Sequence, residues 1–423
     1  MPDSVPDVDR YEFKLPDNFS DFDPKSFVDG ALKFADATVG NNETVALSAS
    51  GGVDSTVAAF LLRKAIGDRL HLYFINDGLR RVIGGRPEAD VTADMFKDFE
   101  NFEVLDTADL TLGWFEGIAD GTRKRDIFRT IYTLASNTHL AKMGADRIAD
   151  GTIHPDIVMT SQKRQTQHNV DLDYNLPKLE ILASLYKPHV RQVAMYLGLP
   201  KEFAMRIPCP GPAQLLRVGG EFDRDKLEIA QGATDIVEQA VEQYCKDRFG
   251  ESFIYDEATG VRTPFQYFGT CLDHGMEAYP ELTEIAKSLT GAMVDCYRME
   301  TDGMWIDMSV QEQQKRLYAP IIWMRGPRYS SSALLKLYDD ITEEAAKNEI
   351  NVPRILYEAF NSGDAGYPVG IKAVTSTDIK VSEPFDIDYH TLEKMGKRIH
   401  QETGASMVGY DISRRPPATT ELF

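Results

Sequence analysis

Cysteine is sparse in this chain and is not arranged to be used. The four cysteines, Cys209, Cys245, Cys271 and Cys296, lie far apart and make no CxxC pair. That excludes a disulfide framework and a zinc knuckle, and it points to a reducing, cytoplasmic setting. Long apolar runs are missing, so no membrane span is expected. The start, Met1 to Asp9, is acidic and proline-bearing; it reads as a fraying end and not as a signal peptide. Positive charge is also short: 46 Lys and Arg stand against 66 Asp and Glu, a net charge of −20. So acidic a surface repels polyphosphate backbones, which argues against DNA or RNA as a partner. Finally, no stretch carries the GxxxxGK[ST] spacing, so the mechanics of kinases and GTPases do not carry over.

What is present suits a globular protein of two or three domains: 423 residues, 43% of them hydrophobic. The most informative stretch is Ser50-Gly51-Gly52-Val53-Asp54-Ser55. It follows an apolar run, Thr44 to Leu47, and precedes a helical pattern from Thr56 to Leu62. The order is buried strand, tight loop, helix start. Two glycines let the backbone close around an anion, and the helix start offers unpaired N–H groups. Ser50 and Ser55 add hydroxyl donors. Asp54 would repel a phosphate unless a divalent cation lies between them, so the loop reads as a pyrophosphate site with its metal held by Asp54.

Strand and helix patterns alternate through the first half. Strands are expected at Leu70–Ile75, Phe102–Asp106 and Arg147–Thr152, with helices over Phe27–Ala35 and Lys124–Met143. The pattern implies an α/β fold, a parallel sheet with helices on both faces and ligands at the carboxyl ends of the strands. Both Ser50–Ser55 and Gly151-Thr152 fall at such ends. Three prolines and a glycine in Pro208–Pro212 mark a stiff linker and a domain boundary just beyond it. After it come a helix over Lys226–Phe249, a strand over Tyr367–Val374, a helix over Tyr389–Gly404 and a strand over Ser406–Ile412.

Several blocks then match one family in order. They are Ser50–Ser55; Phe74-Ile75-Asn76-Asp77-Gly78-Leu79-Arg80-Arg81; Lys124-Arg125; Gly151-Thr152-Ile153-His154-Pro155-Asp156; His168-Asn169-Val170; Leu185-Tyr186-Lys187; Pro208–Pro212 with Arg217; and Tyr410 to Glu421, which contains Arg414-Arg415-Pro416-Pro417-Ala418-Thr419-Thr420. With these blocks the chain resembles the synthetase part of GMP synthetases, members of the PP-loop ATP pyrophosphatases. The resemblance implies an adenine-nucleotide α-hydrolase-like sheet followed by an α+β dimerisation domain. It divides the chain into an extension (1–26), an ATP-pyrophosphatase domain (27–218) and a dimerisation and acceptor domain (219–423). In the last, about 222–366 aligns weakly and is expected to be an insertion.

The resemblance also implies chemistry. ATP adenylates the C2 oxygen of xanthosine monophosphate (XMP) and releases pyrophosphate; ammonia then displaces AMP to give GMP. The cofactors implied are ATP and Mg²⁺. Ser48, Ser50, Gly51, Gly52, Val53, Asp54, Ser55, Gly151 and Thr152 would hold ATP. Asp54, Ser55, Lys124 and Asp156 would be catalytic. Arg81, Arg217, Arg415, Thr419, Thr420 and Glu421 would bind the acceptor nucleotide. Only some forty residues precede the loop, so a separate glutaminase subunit or free ammonia is expected to supply nitrogen, and a homodimer is implied.

Departures from the family pattern cluster away from the loop. The lid reads Gln165-Thr166-Gln167-His168-Asn169 in place of Lys-Ser-His-His-Asn; Asp150 replaces glutamine, Met159 glutamate, Cys209 phenylalanine and Arg415 lysine. These leave two alternatives open. One is a PP-loop enzyme that adenylates another acceptor for amidation or thiolation, with Cys209 able to carry a persulfide if its pKa were low. The other is a degenerate nucleotide-binding regulatory subunit.

Overall fold

The computed structural model describes residues 7–161, 174–209, 211–306, 316–378 and 381–422. Its first sheet has six strands, all parallel, in the order Val8–Arg10, Lys178–Glu180, Arg147–Ala149, Val45–Ser48, Leu70–Asn76, Phe102–Asp106. The central strands are apolar on both sides because helices cover both faces. Val45, Leu47, Leu72 and Leu179 pack on one face against Ala31 of Pro24–Thr38, Val57 and Leu61 of Val53–Ile66, and Val190 and Val193 of Lys187–Tyr196. The alternate residues Ala46, Tyr73, Ile75 and Ile148 face Leu140 of the helix Gly121–Met143.

One expectation is overturned. The described part of the N-terminal stretch does not fray: Val8–Arg10 is the sheet's edge strand, in parallel register with Lys178–Glu180. Arg10 donates to Glu180 at 2.6 Å, and Arg147 reaches Asp9 at 2.7 Å. Tyr11 and Phe13 then stack against Phe27. Acidic composition hid a short run whose ion pairs and aromatic contacts are all non-local.

The second sheet has eight strands. Along it lie Gln266–Cys271, Pro368–Asp378, Met407–Asp411, Ile355–Asn361, Arg316–Arg325, Asp295–Ile306 and Met276–Ala278, and Val381–Pro384 pairs with Pro368–Asp378. The segment about 222–366 therefore supplies five of its strands and the long helix Arg224–Phe249, which packs on Gln266–Cys271. Four helices cover one face: Ile236 and Val241, Leu282, Ile341, and Leu392 with Ile399 meet Tyr267, Ile371 and Val408 in one core. The opposite face carries Phe268, Trp323, Leu356 and Leu422. Period-two alternation splits Tyr267 from Phe268 between these faces.

The two halves are joined by more than the linker. The turn after Leu70–Asn76 is pinned to Arg224–Phe249: Gln231 donates to the carbonyls of Gly78 and Arg80, and Asp235 accepts from Gly84 and Gly85 N–H. Leu79, Phe115 and Phe128 pack with Leu215, Phe222 and Leu227 around this joint.

Candidate active site

The loop is built by its own residues. Ser50 N–H donates to Ser55 Oγ at 3.2 Å, the two hydroxyls lie 3.0 Å apart, and Ser55 Oγ donates to the Gly52 carbonyl. Gly51 has φ +77°, a left-handed turn that a side chain would strain. Gly52 is the N-cap and has no side chain to satisfy the first-turn N–H groups of the helix Val53–Ile66. Those groups, and the positive end of the helix dipole, are left to a ligand. Gly151 closes the cradle from the neighbouring strand end. A Cβ there would come within 2.7 Å of Ser55 N, so only glycine permits the approach.

The structure brings Asp54 and Asp156 together at this helix start. Asp54 Oδ2 receives Lys187 Nζ at 2.7 Å, while Oδ1 is buried without a hydrogen-bond partner. Burial pushes the Asp156 carboxyl up to about 6, helped by the charge of Asp54 and opposed by the Ile153 N–H bond. An unpartnered carboxylate oxygen beside a second carboxyl suits a hard cation that takes oxygen ligands. Among the described residues no cluster of three or more His, Cys, Asp or Glu is poised for a metal. Thr152 N–H donates to Asp150, which is paired with Lys178 at 2.6 Å; Ser48 Oγ is 2.6 Å from Tyr132 OH.

The residues expected to bind the acceptor lie elsewhere, toward the joint and the C-terminal tail. Arg217 is fully buried over the Phe268 ring, 4.1 Å to its centroid, and none of its three nitrogens has a hydrogen-bond partner. Its nearest anion is Glu421, 3.7 Å away. Gln266 links Glu421 to the Pro208 carbonyl. Arg415 donates to Thr420 Oγ at 2.6 Å, and Thr419 Oγ donates to the Met304 carbonyl. Arg81 is buried between Glu88 at 3.1 Å and Glu238 at 3.2 Å, which ties the first half to the long helix.

Two residues differ from their expected settings. Lys124 is buried, and its ammonium donates to the Val218 and Gly220 carbonyls at 2.7 and 2.9 Å. Those partners belong to the joint and not to the loop. The Cys209 thiol is pushed up by burial, against the pull of Arg81 and Arg217. It stays protonated near neutrality, which removes the basis for a persulfide carrier. The lid residues Gln165 to Asn169, the matched block His168-Asn169-Val170 and Pro210 lie outside the described residues.

Sequence reasoning missed Lys187 as the partner of Asp54, although the residue stands in a matched block. It also missed Glu238, and Gln214, which is buried with both amide atoms unpartnered one helical turn before Arg217. Lys187 and Glu238 are defined by partners far away in the chain, Asp54 and Arg81.

Comparison with known proteins gives the same reading from outside. Residues 361–422 match the family model of the GMP synthase C-terminal domain. A glutamine-hydrolyzing GMP synthase subunit of Sulfurisphaera tokodaii is 30% identical over 409 residues, 95% of this chain and 99% of the relative. The Saccharolobus solfataricus protein of that name is 30% identical over 411 residues, 95% of this chain and all of the relative. The Methanothermobacter thermautotrophicus protein is 36% identical over 220 residues, 52% of this chain and 70% of the relative. The first two alignments run through the segment 222–366, so the long second half is shared. The chain belongs to the family of these GMP synthase subunits.

Proposed function

We propose that this chain carries out the ATP-dependent amination of XMP to GMP. The XMP C2 oxygen attacks the α-phosphorus of ATP and pyrophosphate leaves; ammonia then adds at C2, and that oxygen departs with AMP. The observation that carries the reading is the Gly151–Ser55 contact beside an unpartnered Asp54 Oδ1, a cradle shaped for a diphosphate and its cation. Membership of the GMP synthase family supports the choice of acceptor.

The loop N–H groups, Ser50 and Ser55 hold the leaving diphosphate, with Ser48, Gly51, Gly52, Val53, Gly151 and Thr152 shaping the ATP site. Magnesium bound with ATP would supply charge neutralisation between the phosphates, and Asp54 and Asp156 are the residues that would hold it. Lys187 sits where it can pass from Asp54 to a phosphate oxygen. Arg217, Arg415, Thr419, Thr420 and Glu421 bind the acceptor nucleotide at the joint, with Arg81 fixing the wall behind them. Lys124 we assign to positioning that joint. With the division at 27–218 and 219–423, the ATP site lies wholly in the first part, and the acceptor site takes Arg81 and Arg217 from the first and Arg415 to Glu421 from the second.

The relatives are named as one subunit of a glutamine-hydrolyzing synthase, which supports a separate glutamine-hydrolysing partner as the ammonia source. A homodimer through the second half and a cytoplasmic location complete the proposal. Among the described residues no helix is long and apolar enough to cross a membrane. The test is direct. Purified chain with ATP, Mg²⁺, XMP and ammonium should release GMP, AMP and pyrophosphate in equal amounts, and glutamine should replace ammonium only when the glutaminase partner is added. Absence of AMP release with XMP and ammonium overturns the reading.

A further inference from the structure

From the buried contacts of the C-terminal tail we infer that Arg354 is the positioning residue of the acceptor pocket; the inference rests on the acceptor role proposed above for Thr419 to Glu421. Arg354 lies at the start of the strand Ile355–Asn361 and is completely buried. Its Nη1 pairs with Asp411, which also takes Lys372 Nζ at 2.7 Å. Its Nη2 points the other way, into the tail. There it donates to the Thr419 carbonyl at 2.9 Å, to Thr419 Oγ at 3.2 Å and to the Glu421 carbonyl at 3.3 Å.

The charges explain why this arrangement is specific. Two cations share the Asp411 carboxylate in a fully buried site, and the next carboxylate, Glu421, is already shared with Arg217, so three cations face two carboxylates. A buried surplus charge is costly unless dipoles surround it. The tail carbonyls are those dipoles, and they can serve only while the tail is folded over Arg354. A planar guanidinium meets a carboxylate on one side and converging carbonyls on the other; an ammonium cannot span both. The backbone completes the clamp, with Met304 N–H on the Leu422 carbonyl at 2.7 Å and Ile306 N–H on Pro417 at 2.8 Å. The tail residues that face the acceptor are thus held from beneath by a residue that does not touch it.

Two readouts on the full chain test this. Arg354→Lys keeps the charge and loses the fork. The expected result is a KM for XMP raised about tenfold, the scale of one lost charge-assisted bond, with the KM for ATP within about twofold. Hydrogen exchange should speed up over 415–422 while Gln266–Cys271 stays protected. Unchanged tail exchange, or equal rises in both KM values, overturns the inference. Should Arg354→Lys not fold, Thr419→Val removes the hydroxyl between Arg354 and Met304, and tail exchange over 415–422 alone decides, since Thr419 is itself assigned to the acceptor pocket: faster exchange supports the inference and unchanged exchange overturns it. A wild-type chain inactive on XMP would sink the proposed function instead, and the exchange measurement would still decide the role of Arg354.

Discussion

The loop proposed to hold the nucleotide and the tail proposed to hold the acceptor keep their shapes by opposite means. The loop is stabilised from within. Its Ser50–Ser55 bonds span five residues, and the Ser55–Gly52 bond spans three. The tail is stabilised from outside: Arg354 reaches Thr419 across 65 residues and Thr419 reaches Met304 across 115. A locally closed site has its shape before the rest of the chain arrives. A site closed by distant residues exists only when the second sheet is complete. On the function proposed above, ATP cleavage sits on the first kind of scaffold and acceptor recognition on the second.

That contrast can be broken most sharply at Asp54. Asp54→Ala should cut AMP formation by about 10³-fold, the order expected when a charge-stabilising group is lost from phosphoryl transfer. The fold should survive, because the side chain is partly exposed and has one ion pair. Unchanged pyrophosphate release in a coupled assay would contradict the role assigned to the loop. Next in size is Gly151→Ala. With Ser55 N only 2.7 Å from the added carbon, two backbones must part, and we expect about 10²-fold loss with a raised KM for ATP. Wild-type kinetics would mean that the cradle is looser than its geometry. On the tail, Arg415→Met should raise the KM for XMP about tenfold and leave the KM for ATP within about twofold. If ATP binding measured by calorimetry weakens equally, the two regions are not separable.

The same contrast explains what could be read from the sequence. The loop, its strand and its helix were legible because the bonds that shape the turn, Ser50 to Ser55 and Ser55 to Gly52, lie within one hexapeptide. The strand Phe102–Asp106 came out with its bounds intact, and the helix Lys124–Met143 within three residues, since both follow period and punctuation. The tail residues were legible only through family resemblance. Their support was not: Arg354 and Lys372 sit in ordinary strand contexts, and only the fold puts both on Asp411. The edge strand Val8–Arg10 failed for the same reason, since its partner lies 170 residues away. Lys124 was read by its place in a basic pair, yet burial against the Val218 and Gly220 carbonyls sets its role.

Lys124 offers a smaller test at the boundary between the regions. Burial, with the charge of Lys226 adding to it, lowers this ammonium from 10.5 to about 7. Between those values the unfolded chain keeps a proton that the folded chain has shed, so stability climbs as pH rises from 7 toward 10.5. The two carbonyl acceptors favour the ammonium and cut the gain below the full shift. We expect wild type to gain about 1–2 kcal/mol over Lys124→Met between pH 7 and 9 in urea unfolding. Parallel pH curves would show that the carbonyls keep the charge in place and that the joint does not titrate.

The smallest effect is expected at Cys209, and it bears on which chemistry the joint can support. A sulfur-transferring enzyme needs a thiolate, and two arginines beside Cys209 would favour one. Two glutamates, Glu88 and Glu238, oppose them, and burial outweighs both, so the thiol is raised and not lowered. The side chain therefore acts as a small space-filler where the linker turns toward Arg217. Cys209→Ser keeps the volume and the weak polarity, and a half-buried position lets water reach the new hydroxyl. Turnover with ammonium should stay within about twofold, since an isosteric change without a lost partner costs well under 1.4 kcal/mol. A large loss that thiol reagents reproduce in the wild type would reverse this argument, because a packing residue cannot be titrated by its chemistry, and the joint would then have to be read as a reaction centre in its own right.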